Sequence, residues 1–333
     1  MRKLITALLV ILCIASSACA AVHRNVALLV AGGTNDTQAP EFVNSCSDGL
    51  KMAKHNYVRT LSTKLFDIKN YKSKNELLTE AAKWADLIIV PVPEFRNELP
   101  QFVKDYPKVE FVTFDPVPNA KLVHFRDEET GFLAGALAAV YARSAKDSRI
   151  KPNSRIGAVF GPDNDAIARM KYGFKAGVWY VDKTLDPLIV HTEDFVNRSA
   201  VADLAHRMHE RNVNVIFTAA GNAGLGASDI AEKENFWTIG VDNEVEKQYP
   251  KAVLASAVKR VDYVVYAVID RYMQKQIAPK DVSVGIKEGA IGLSTWTREA
   301  KTNVPLSIRK RVEEIEDKLE AGLIVLPEYK KQQ

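Results

Sequence analysis

The feature that most constrains this chain is a rhythm that starts twice: apolar runs of strand length alternating with segments of helical period. Val26–Ala31 (VALLVA), Leu87–Val92 (LIIVPV) and Val109–Phe114 (VEFVTF) are nearly continuous in apolar residues. Strands buried on both faces of a parallel sheet read this way. Between them, Ser45–Asn56 and Lys74–Ala85 carry helical spacing. The pattern resumes at Arg155–Phe160, Leu188–His191, Val213–Thr218 and Trp237–Val241. Two runs of βα units predict two doubly wound lobes rather than one oversized sheet. The 333 residues suit two domains, since domains run about 100–200 residues. Ser307–Leu323 reads as a closing amphipathic helix, with Ile308, Val312, Ile315 and Leu319 packing on the second lobe.

The first residues read as an export signal. Arg2 and Lys3 precede the apolar run Leu4–Ile14, which is short for a bilayer span, and small residues follow over Ala15–Ala21. Two cleavage readings stay open. Ala18-Cys19-Ala20 fits an A-x-A site that releases a soluble protein; Ser16-Ser17-Ala18-Cys19 fits a relaxed lipobox, with Cys19 as the lipidated first residue. The chain has 45 basic and 41 acidic residues, and the count is 43 against 41 without Arg2 and Lys3. That balance makes no electrostatic case for nucleic acid or an anionic membrane surface. Cys46 is the one cysteine beyond the leader, so no internal disulfide is expected.

Catalytic and metal patterns are missing. The histidines His23, His55, His124, His191, His206 and His209 show no zinc spacing, and no G-x-S-x-G elbow occurs. No enzyme activity and no cofactor are expected. An export signal in place of a helix-turn-helix speaks against a transcription factor.

Ligands of open α/β sheets bind beyond the carboxyl ends of the strands. Asp115 and Asp242 end strands there, and a strand-end carboxylate can accept paired hydrogen bonds from vicinal hydroxyls; a helix cap or turn is the plainer role. Gly221-Asn222-Ala223-Gly224-Leu225-Gly226 follows a strand and opens a helix. Its G-x-x-G-x-G spacing is neither a dinucleotide fingerprint nor a Walker loop, and it reads as backbone closing over a sugar or base. Lys259, read at the start of a helix, opposes the local dipole and calls for a carboxylate such as Asp242 or a ligand acceptor. A solvated surface lysine is the alternative.

Five segments stand in a recognisable order: DEETGFLAGALAA (Asp127–Ala139), RIGAVFG (Arg155–Gly161), VNVIFTAAGNAGLG (Val213–Gly226), FWTIGVDNE (Phe236–Glu244) and VLASAVKRVD (Val253–Asp262). The set resembles the basic membrane protein family, also called the purine nucleoside receptor-like family. These are exported bacterial solute-binding proteins that hand a nucleoside to an ABC transporter.

The resemblance implies a type I periplasmic-binding-protein fold, α/β, with a ligand cleft between two lobes. Lobe one would take residues 24–122 and about 256–280, and lobe two 126–255 and about 283–333, after a signal over 1–20. The chain would cross between lobes near 121–126, 255 and 280, with Val253–Tyr272 a helix returning to lobe one. Phe42 and Phe195 match family phenylalanines and would sandwich a base, with core packing the other reading of Phe42. Asp115, Asp242 and Lys259 would hold polar edges, while the loop at Gly221 would close over the sugar or base. The family's Asp before paired glycines and its D-D-x-S-F-N loop are replaced by Val30-Ala31-Gly32-Gly33-Thr34-Asn35-Asp36 and a longer stretch to Phe42. Asn35 and Asp36 would stand in for the missing contacts. The implied partners are a small-molecule ligand, a purine nucleoside, and an ABC permease, with no nucleic acid and a monomeric chain. The implied location is extracytoplasmic, periplasmic or lipid-anchored. Some relatives bind riboflavin, and a surface sensor without a transport role is the reading from another class.

Overall fold

In the computed structural model, residues 22–31, 41–276, 281–327 and 329 are described. Cys19, Asn35 and Asp36 lie outside them. The chain runs β1 (Arg24–Val30), α1 (Glu41–Asn56), β2 (Leu61–Asp67), α2 (Lys74–Trp84), β3 (Leu87–Val90), α3 (Leu99–Asp105), β4 (Glu110–Thr113) and β5 (Lys121–Phe125). It continues through α4 (Asp127–Ser144), β6 (Arg155–Phe160), α5 (Asp165–Val181), β7 (Leu188–His191), α6 (Arg198–His209), β8 (Val213–Ala219), α7 (Gly221–Glu234), β9 (Trp237–Asp242) and β10 (Val253–Lys259). Last come α8 (Val261–Met273), β11 (Val282–Val284), β12 (Ile291–Leu293), α9 (Arg298–Asn303) and α10 (Leu306–Glu320).

The strands form two six-stranded sheets, ordered β11-β5-β4-β3-β1-β2 and β12-β10-β9-β8-β6-β7. Every pairing is parallel except that of β12 with β10. The apolar runs explain this. All four residues of β3 and all seven of β8 are buried, which a parallel sheet covered by helices on both faces requires. Local chemistry sets several helix starts. Ser73 accepts from the Glu76 N–H at 3.1 Å while the Glu76 carboxylate accepts from the Lys72 N–H at 3.0 Å. Asn164 and Asn197 cap α5 and α6 through the N–H groups of Ile167 and Ala200. In α10, Ile308, Val312, Ile315 and Leu319 are buried as the periodicity predicts.

The chain passes from one sheet to the other after β5, after β10 and after β11, and these passages are tied together. The Arg126 N–H donates to Val284 at 2.9 Å, and its guanidinium to Glu129 at 2.6 Å and Glu288 at 2.5 Å. The Arg260 N–H donates to Ala290 at 2.8 Å. Val253–Tyr272 is therefore not one helix. Val253–Lys259 is a strand of the second sheet, hydrogen-bonded to β9 and β12, and the helix starts only at Val261. With β9 on one side and β12 on the other, this segment satisfies its backbone as strand. No helix among the described residues is long and apolar enough to cross a membrane.

Candidate ligand cleft

Lys259 closes β10, and its ammonium is the electrostatic centre of the region. Nζ lies 2.6 Å from Asp127 Oδ1, with side-chain exposures of 8% and 6%. Burial alone would lower the lysine's pKa; the charges of Asp127 and Asp242 outweigh it, and the pKa is raised. The direct partner is thus Asp127, at the first turn of α4, where the helix dipole also favours a carboxylate. Asp242 adds to the effect through its charge. Lys259 also sits over two rings, 4.5 Å from the Phe125 centroid and 5.8 Å from that of Phe42. Its place at a strand end removes the helix-dipole conflict expected from the sequence. Cys46 lies nearby, but burial pushes its thiol pKa up, which suits packing rather than nucleophilic chemistry.

A cleft of about 530 Å³ opens beside this pair. One wall is α1, through Asn44, Ser45 and Asp48; the other is the ends of β9 and β10 and the segment around β12. Asp242, Asn243, Glu244, Lys259, Arg260 and Asp262 bring charge and polarity to it. Asp242 ends β9 with φ of 65°, a left-handed conformation that aspartate and asparagine tolerate better than most residues. Most polar groups of the cleft are already engaged. Ser45 accepts from the Asp262 N–H at 3.1 Å, Asp48 pairs with Lys51 at 2.8 Å, and Ser294 accepts from the Ser256 N–H at 3.0 Å. Glu244 is paired with Lys247, and Arg260 reaches Asp262 at 3.4 Å.

The other expected site residues are not among those that line that cleft. Asp115, just past β4, accepts from the Arg96 guanidinium at 2.7 Å. Phe42 meets Phe114 edge to face, with centroids 6.5 Å apart. Phe195 packs on two glycines: a Cβ at Gly161 would stand 2.1 Å from its ring, and one at Gly221 would stand 3.2 Å from its carbonyl oxygen. The Phe195 carbonyl accepts from the Ala223 N–H at 2.9 Å. Gly221, with φ of 55°, opens α7, so Gly221–Gly226 is the first turns of a helix and not a loop. Among the described residues no ring contact joins Phe42 to Phe195. The fold gathers Phe42, Asp242 and Lys259 in one place, and Phe195 with Gly221 in another.

Asp127 and the wall formed by Asn44 and β12 were not foreseen. Asp127 heads the DEETGFLAGALAA segment, so its position was visible but its partner, 132 residues away, was not. The β12 wall also carries a titratable brace. Glu316 on α10 accepts from the Leu293 N–H at 2.7 Å, and burial, helped by Asp317, Glu320 and Glu313, pushes its pKa up to about 7. A carboxyl raised above its unfolded value stabilises the fold below that unfolded value and loses the contribution as pH rises through the folded one. Stability should therefore fall between about pH 4.5 and 7 from this group. Glu316→Gln should flatten that part of a melting-temperature-against-pH curve; an unchanged slope would assign the decline elsewhere.

Comparison with known proteins agrees with this architecture. Basic membrane protein B of Borrelia garinii subsp. bavariensis is 28% identical over 201 residues, 56% of each chain. Basic membrane protein A of Borreliella afzelii is 26% identical over 310 residues, 90% of each chain. The crystal structure of an ABC transporter solute-binding protein from Aeropyrum pernix K1 superposes with a TM-score of 0.75 at 21% identity, covering 91% of this chain and 92% of that one. The fold is that of the two-lobed periplasmic binding proteins. The sequence profile of the PnrA-like ABC transporter substrate-binding proteins matches residues 23–329, and the chain belongs to that family.

Proposed function

We propose that this protein captures a purine nucleoside outside the cytoplasm by closing its two lobes, and delivers it to a membrane permease. The observation that carries the reading is the placing of Asp242 and Lys259 at the ends of neighbouring strands, across a cleft from α1. Carboxylates there suit the hydroxyls of a ribose, and charge-assisted bonds of that kind are the stronger ones. The cleft volume of about 530 Å³ falls within the roughly 300–1,000 Å³ usual for small-molecule sites. Because its walls come from both lobes, a ligand that touches both favours the closed state by its differential contacts. The three tied passages at Arg126, Arg260 and Gly285–Ala290 are the natural hinge.

Asp242→Asn keeps the left-handed backbone and removes the charge. It is expected to weaken nucleoside binding tenfold or more, about 1.5–3 kcal/mol for hydrogen bonds to a charged group. Calorimetric titration with adenosine and inosine checks this. Equal affinity in the variant would make Asp242 a turn residue and remove the carrying observation.

A further inference from the structure

Asn44 lines the cleft from the first turn of α1, and its Oδ1 is buried from solvent with no hydrogen-bond partner among the described residues. Buried polar atoms are ordinarily satisfied, and one left open is costly to the fold. Its neighbours on the same wall, Ser45 and Asp48, have partners of their own. An unsatisfied acceptor on a side chain of the cleft wall, shielded from solvent in this conformation, becomes available to a ligand donor once that side chain turns toward the cleft.

The chemistry of the side chain narrows the donor. A carboxamide sets an acceptor and a donor side by side in one plane, which matches the edge of a nucleobase. Vicinal hydroxyls are served better by a carboxylate such as Asp242 on the opposite wall. Resting on the nucleoside reading above, we infer that Asn44 is the base-reading residue of this cleft: its Oδ1 accepts an N–H from the base edge. The residue would then select ligands that carry such an N–H over those of the same shape that lack it.

Adenosine and inosine each offer an N–H on the base; purine riboside offers none. Calorimetry on the wild-type protein should show the better of the first two binding at least about tenfold tighter than purine riboside, the worth of one buried hydrogen bond. Asn44→Leu, with Asn44→Ala as a second variant, should close that gap. The ligand-free variant should melt no lower than wild type, since an unsatisfied polar atom has been removed. No gap in the wild type, a gap that survives in the variants, an equal loss for all three ligands, or a lower ligand-free melting point would each overturn the role of Asn44. A wild-type protein that binds none of the three would instead sink the nucleoside reading beneath it.

Discussion

Asp127→Ala is expected to destabilise the fold by about 3–5 kcal/mol, the usual cost of leaving one charge of a buried pair without its partner. The Lys259 ammonium would remain buried between the rings of Phe125 and Phe42, with its nearest anion gone. Lys259→Met should cost less. Asp127 would keep the favourable dipole of the α4 N-terminus, worth about 0.3–1 kcal/mol, and methionine fills the apolar stem's volume. Removing both charges should recover much of the loss, because the desolvated charge disappears with its partner. Urea unfolding of the two single variants and the double variant measures this cycle directly. If Asp127→Ala stayed within about 1 kcal/mol of wild type, the pair would have to be hydrated in solution and the centre of the cleft misdescribed.

Gly173→Ala should destabilise the protein by about 1–3 kcal/mol or more, the range for overpacking a close contact. The sign is the informative part. In a solvent-exposed helix the same change stabilises by about 0.5–1 kcal/mol, through backbone entropy. Here α4 and α5 touch through glycines, so a Cβ at Gly173 would lie 1.9 Å from the Glu128 carbonyl oxygen, and one at Gly131 would lie 2.0 Å from that of Met170. Each contact is to backbone, which can yield only if a helix moves. Since α4 carries Asp127 at its first turn, moving it would also pull the carboxylate from Lys259. The expected signature is a lowered denaturation midpoint for Gly173→Ala, and again for Gly131→Ala. A raised midpoint in either would mean the helices are further apart than described.

Both expectations turn on the DEETGFLAGALAA segment. Its acid neutralises the lysine at the end of β10, and its glycines admit α5, so one stretch fixes charge and packing together. The rest of the fold was legible to differing degrees. Arg155–Phe160 is a strand over the residues its apolar run marks, because a buried strand leaves an unbroken signal, and Leu188–His191 is a strand over its run too, although it is a half-buried edge strand. Leu61–Asp67 and Lys121–Phe125 were silent. The first lies at the sheet edge and the second between two strands of one, yet each mixes polar with apolar residues in no regular period and includes a lysine. Val253–Lys259 misled for another reason: Ala255, Ser256 and Ala257 have no β-branched character, and only burial against neighbouring strands makes them sheet.

The site was harder to read than the fold. Strand-end logic picks out Asp242 and Asp115 alike; the structure has Asp242 in the lining of the cleft and the Asp115 carboxylate paired with Arg96. What separates them is a neighbour 19 residues away in sequence, in a loop that no periodicity describes. Asn44 gave no motif signal because its interest lies in a partner it lacks.

The account stands most directly on the ligand. Thermal melting of the mature protein, alone and with purine nucleosides, free bases, ribose and riboflavin, is the measurement to make. The account predicts a rise in melting temperature with one or more purine nucleosides and little change with ribose. Stabilisation by riboflavin or ribose alone, or by nothing in the panel, would contradict it.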